Sequence, residues 1–191
     1  MHVLRVGRVL LPVLIVAAVV AAGSSVLSAR PDLDKAKHNV DTSWSSLSGQ
    51  LNHRYVLLAA VDDTLRSVVG PIRSLVGDVD TALVRWHDAR QHTDVAAQVA
   101  AANDVEAFAR RLVATEATSP RVRSNAAVLS ALGQFLSDPA RRAAAGFNQN
   151  VTSYERARHG PVRALVASVL GDGAIPVLDT TEPTVAATTS S

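Results

Sequence analysis

Asn39-Val40-Asp41-Thr42-Ser43-Trp44-Ser45-Ser46-Leu47-Ser48-Gly49-Gln50-Leu51-Asn52-His53-Arg54-Tyr55-Val56-Leu57-Leu58-Ala59-Ala60-Val61 is the stretch whose spacing decides the fold class. Its apolar positions, carried on to Leu65 and Val68, are Val40, Trp44, Leu47, Leu51, Tyr55, Leu58 and Val61. They cover 28 residues in eight steps of three or four, a mean of 3.5. That is the period of a long helix packed along a partner helix, as in a coiled coil. A strand would alternate every second residue, and this stretch does not. The seam specifies architecture and carries no chemistry of its own.

Outward from the seam, proline and glycine punctuate the chain at helical intervals. Pro31-Asp32 is expected to open the seam helix and Gly70-Pro71 to close it, with the glycine as cap and the proline starting the next helix. Ser119-Pro120 and Ser137-Asp138-Pro139 each set a capping side chain before a proline at the first helical position. The expected helices are 32–69, 71–118, 120–137 and 139–159, with a short piece at 161–170. The second is long enough to predict either an extended coiled-coil arm or a break near His92-Thr93. Its apolar positions include Ile72, Val79, Leu83, Trp86, Val95, Val99, Phe108 and Leu112. The third shows Val122, Ala126, Leu129, Leu132 and Leu136, and the fourth Ala140, Ala144, Phe147, Val151 and Tyr154. One apolar stripe per helix with short connections predicts an all-α antiparallel bundle of about four long helices. Asp172 to Ser191 is Thr-rich and aperiodic and reads as a disordered tail, residues 172–191.

Residues 1–8 form a basic flank with Arg5 and Arg8, followed by nineteen uncharged residues at 9–27. As a helix that segment would be about 28 Å long, close to the hydrocarbon thickness of a bilayer. An uncleaved single-pass anchor is the preferred reading, because the apolar run continues through Val26 and Leu27. The small residues Ala21, Ala22, Gly23 and Ser24 also fit a cleaved signal peptide. Arg30, Lys35 and Lys37 balance Arg5 and Arg8, so the side of the membrane stays open.

The 191 residues contain no cysteine, which excludes disulfides and thiolate metal sites. A net charge of +2 conceals a division: Asp62 to Glu106 holds eight acids and four arginines, Arg110 to Arg163 nine arginines and three acids. Pairing between acidic and basic helices within the bundle accounts for this most simply. Contact with anionic lipid near Arg158 to Leu170 is the sharper reading, since Val162, Leu165, Val166, Val169 and Leu170 make an apolar face beside Arg158 and Arg163. Docking of that piece on the bundle end is the plainer alternative. Nucleic acid is disfavoured because no aromatic residues interleave with the arginines to stack bases.

Candidate chemistry is thin. Asp88 and His92 are four apart, a spacing that sets two ligands on one helix face, but His87 diverges and no third ligand is at hand. Asp62 and Asp63 are adjacent and point apart, and glutamate is too scarce for a carboxylate-bridged metal pair in a bundle. Gly171-Asp172-Gly173 is an isolated turn signal, and no nucleophile elbow is present. Tyr55 lies in the apolar stripe, where core packing with a bonded hydroxyl is the default. Arg54, one residue off the stripe, is placed to clamp an acid on a neighbouring helix, with a ligand or headgroup as the alternative. Trp44 and Trp86 read as seam anchors. No catalytic residue, metal ligand or cofactor is assigned.

Trp44, Leu51, Arg54, Tyr55 and Leu57 resemble the first motif region of the LemA family of bacterial membrane-anchored helical proteins. Phe147-Asn148, Val151, Tyr154 and Pro161, followed by Ala167 and Gly171, are similar to that family's second region. Ala89-Arg90 matches a common Ala-Arg pair, and Pro120 the proline opening the family's third helix. The likeness covers about residues 33–171, and a bundle at 32–171 is what it implies. Departures include Ala59-Ala60 for a Pro-Asn, His53 for a second Arg and Glu155 for an Asn. The resemblance implies a helical bundle on one membrane anchor, with structural roles for Trp44, Leu51, Arg54, Tyr55, Arg90, Phe147, Asn148, Tyr154 and Pro161. It implies no reaction and no cofactor. The expected function is a non-enzymatic scaffold or interaction module, with a soluble binder released by cleavage as the alternative. Its partners would be the bilayer through 9–27 and an unidentified protein, a second copy of the chain included.

Overall fold

A computed structural model describes residues 3–66, 73–159, 164, 167–168 and 171–181, with the backbone alone for 3–29 and no side-chain detail at 73, 116 and 117. The described chain is all α: α1 (Val3–Arg66), α2 (Arg73–Ala89), α3 (Val95–Thr118), a single turn α4 (Pro120–Arg123), α5 (Ala126–Ser137) and α6 (Ala140–Arg158). The helices pack antiparallel around α1, which makes its most extensive contact with α6 and also meets α5, α2 and α3. α2 and α3 pair as a hairpin.

The seam lies where its period placed it. Val40, Trp44, Leu47, Leu51, Tyr55, Leu58, Val61 and Leu65 are all buried, and Leu33, two steps earlier, extends the row. Val68 and Gly70-Pro71 lie outside the described residues. α1 does not begin at Pro31, as the sequence reading expected; the helix runs straight through it. A proline inside a helix removes one backbone bond at a cost of about 3 kcal/mol. Burial of Leu33 and Val40 just beyond it offsets this at roughly 1.5–3 kcal/mol per side chain. The expected span at 9–27 falls on residues whose side chains are outside the description. No helix among the described residues is long and apolar enough to cross a membrane.

Of the two expectations for residues 71–118, the break holds. α2 ends at Ala89, Arg90 to Asp94 turn the chain, and the Asp94 carboxylate accepts from the Ala96 and Ala97 amides at 2.9 and 3.3 Å. That side chain satisfies two amides that a new helix leaves orphaned. A second break was not foreseen. Asn125 caps α5 by accepting from Ala127 and Val128 at 3.0 and 3.2 Å, dividing the expected helix 120–137 in two. The restart rephases the stripe, so that Val128, Leu132 and Phe135 face the core while Ala126, Leu129 and Leu136 face out. Of the two proline caps, Asp138 accepts from the Ala140 amide at 2.9 Å, but Ser119 makes no side-chain cap bond. α6 buries Ala140, Ala144, Phe147, Val151 and Tyr154, the five positions expected.

Residues 172–181 are not a structureless tail. Gly171, with φ +74°, turns the chain in a conformation glycine adopts without steric cost. The segment after it runs extended over the bundle and buries Ile175 and Leu178 in the common core. Residues 182–191 lie outside the described residues, as does most of the piece at 161–170, of which Ala167 is buried.

Candidate functional site

Three polar side chains are buried among the described residues: Arg54, Asp62 and Glu106. Arg54 and Glu106 face one another from α1 and α3. The Arg54 Nε and Nη2 donate to the two Glu106 carboxylate oxygens at 2.9 and 3.3 Å, the forked geometry a guanidinium offers a carboxylate. Its Nη1 donates to the Phe135 carbonyl at 2.6 Å, near the end of α5, where four carbonyls lack intrahelical partners. The guanidinium also lies 3.8 Å from the Phe135 ring centroid. One side chain thus ties α1 to α3 and α5, and the clamp expected of Arg54 is met by Glu106.

Tyr55 donates to the Ala102 carbonyl at 3.2 Å. Burial, and next the nearby Glu106 charge, hold its phenol well above the ordinary range, so it stays protonated and is no base at neutral pH. The cavity beside the pair, bounded by Val113, Leu136 and Thr181, is about 10 Å³, room for one water. A substrate has no access there.

From Tyr55, next to Arg54, back to Trp44, about three turns earlier on α1, an aromatic cluster joins α1, α2 and α6. Trp44 meets Phe147 at 5.0 Å and Trp86 edge-on at 6.2 Å, and Trp86 meets Tyr55 edge-on at 5.2 Å. Such pairs add to burial about 0.5–1.5 kcal/mol each. The Trp44 indole donates to Gln98 Oε1 at 2.7 Å, and Gln98 Nε2 donates to the His92 carbonyl at 2.6 Å, fixing the α2–α3 turn to α1. Arg90, in that turn, donates to Asn52 Oδ1 at 2.6 Å and lies over Trp86. Leu51 is buried. In α6, Asn148 and Tyr154 bond the extended C-terminal segment rather than another helix. Burial pushes the Tyr154 phenol up to about 12. Pro161 lies outside the described residues.

The discounted sites stay apart. α2 ends at Ala89, so Asp88 and His92 do not share a helix face, and both are exposed. His53 and His87 are exposed as well. Among the described residues no three His, Asp or Glu side chains gather as metal ligands do. Arg158 donates to Glu155 at 2.6 Å and lies over the Tyr154 ring, so it is engaged inside the domain. Most of the expected apolar face after it is outside the described residues.

Asp62 and Asp63 do point apart, Asp63 to solvent; the burial of Asp62 is what the sequence reading did not foresee. It sits one residue past Val61, buried with Oδ1 unpartnered, while Oδ2 accepts from Arg66 at 2.9 Å. Arg66 also bridges to Asp80 on α2. Burial, then the Asp80 charge, pushes the Asp62 carboxyl from 3.8 up to about 6. The folded chain therefore holds that proton more tightly than the unfolded chain. Its stabilising contribution is complete below about pH 4 and is lost as pH rises through about 6. Asp62→Asn is expected to raise stability by about 2–3 kcal/mol at pH 8 and hardly at all at pH 4. Thermal unfolding at the two pH values checks this, and equal shifts at both would contradict it.

Comparison with models of known protein families, with curated proteins and with solved structures finds no match to this chain.

Proposed function

We propose that this chain is a single-pass, membrane-anchored helical bundle of the LemA type, acting as a non-enzymatic scaffold or protein-interaction module. The carrying observation is that its chemically capable motif residues are occupied in holding the domain together. Arg54 ties three helices, Tyr55 and Trp44 bind α1 to the α2–α3 hairpin, and Asn148 and Tyr154 hold the C-terminal segment. Two recesses among the described residues, about 270 and 380 Å³, are open to solvent; the first is bordered by Lys37, Asp94, Asp172 and Tyr154, the second by small and amide side chains with Leu47 and Phe147. The LemA reading is supported by the meeting of its two motif regions, Trp44 on α1 and Phe147 on α6, in one aromatic cluster. The anchor reading is supported by the nineteen uncharged residues at 9–27, which lie on the same helix as the seam.

Proximity labelling in native membranes, with the labelling enzyme fused after Ser191, tests the interaction role. The expected products are membrane proteins and proteins bound at one membrane face. Labelling indistinguishable from that of a soluble control in the same compartment would contradict the reading.

A further inference from the structure

The segment 173–180 is held to the bundle through its main chain. Eight of its main-chain groups bond to side chains of the bundle. The Gly173 carbonyl accepts from Tyr154 at 3.1 Å and the Ile175 amide donates to Glu155 at 3.0 Å. Asn148 donates to the Leu178 carbonyl and accepts from the Leu178 amide, both at 2.8 Å. Asn103, on α3, does the same one step to either side: it donates to the Val177 carbonyl at 2.9 Å and accepts from the Asp179 amide at 2.7 Å. Arg110 and Arg141 donate to the carbonyls of Asp179 and Thr180 at 3.0 and 2.9 Å. Two asparagines on two helices thus offer what a neighbouring strand would offer, a paired donor and acceptor at each step. Such a reading is largely indifferent to sequence.

Sequence enters at three points. Ile175 and Leu178, three apart, are buried, whereas Val177 between them is half exposed. Pro176 has no amide to satisfy. The Asp179 carboxylate meets Arg110 Nη2 at 2.8 Å. α3 and α6 both pack on α1, and the segment lies over the furrow between them.

We infer that this furrow is a receptor for an extended peptide, and that residues 173–180 fill it as an intramolecular stand-in. The partner segment it fits is a linear stretch with two apolar anchors three apart and an acidic residue directly after the second. It binds by displacing the chain's own segment. The inference rests on the reading of the bundle as an interaction module, but not on the anchor or its orientation. The cis segment has only two apolar anchors beside its main-chain bonds and one ion pair, and tethering adds an effective concentration in the millimolar range. A partner with better anchors can therefore compete.

The test uses the full chain in detergent micelles and a fluorescein-labelled peptide of residues 172–181, read by anisotropy. Leu178→Asp sets a charge at the deeper of the two buried anchors and is expected to release the segment; the peptide is expected to bind this variant at least ~10-fold more tightly than wild type, since the tethered competitor is removed. Leu178→Ala, a milder change, is expected to give an intermediate gain. Adding Asn148→Ala to either variant is expected to abolish the gain. Variants with wild-type helix content that bind the peptide no more tightly than wild type would overturn the inference. So would a gain that survives Asn148→Ala. Labelled membrane neighbours together with no peptide binding would sink the receptor furrow and leave the interaction role standing.

Discussion

Arg54→Ala is expected to cost about 3–5 kcal/mol of folding stability, because it leaves the Glu106 carboxylate buried without a counter-charge. Glu106→Ala should cost a similar amount by stranding the guanidinium. Both side chains are almost fully buried, so solvent cannot replace the missing partner. The paired replacement Arg54→Met with Glu106→Leu should cost far less than either single change, since apolar replacement of a buried ion pair is often neutral or stabilising by about 1–4 kcal/mol. The Phe135 carbonyl keeps one bond, from the Asp138 amide at 3.4 Å. Urea unfolding followed by far-ultraviolet circular dichroism gives all three values. Additive single and paired effects would show that the ion pair is not the tie described.

Trp44→Ala is expected to cost about 3–5 kcal/mol. The indole is the point where α1, α2 and α6 meet, and its removal leaves a cavity facing Trp86 and Phe147. It also strands Gln98 Oε1, which loses the bond at 2.7 Å. Trp44→Phe keeps most of the packing and loses the hydrogen bond, for about 1–3 kcal/mol. Thermal unfolding separates the two variants. Equal losses would place the stabilisation in the hydrogen bond instead of the aromatic packing.

How much of this was legible in the sequence depended on the length of each periodic run. The α1 seam and the α6 stripe extend over several turns, and every described seam position is buried. α5 was misphased because a single residue, Asn125, restarts the helix, and one restart moves Leu129 and Leu136 from the inner face to the outer. Asp94 could have been recognised as the α3 cap, since it directly precedes an apolar run. Pro31 was overread: the packing of Leu33 and Val40 outweighs a local helix breaker. Ile175 and Leu178 gave no periodic signal because an extended segment held by side chains needs none. Arg54 was readable as a clamp from its place beside the stripe, but its partner on α3 was not. Asp62 stands four residues past Leu58, beside the stripe, but its acidic side chain made it read as solvent-facing.

The most direct test of the proposed role is alkaline carbonate extraction of native membranes containing the chain tagged after Ser191. The full-length chain is expected in the membrane pellet, with residues 9–27 retained. A shorter species in the supernatant, its N-terminus between Gly23 and Ala29, would contradict the anchored bundle and establish a released soluble module in its place.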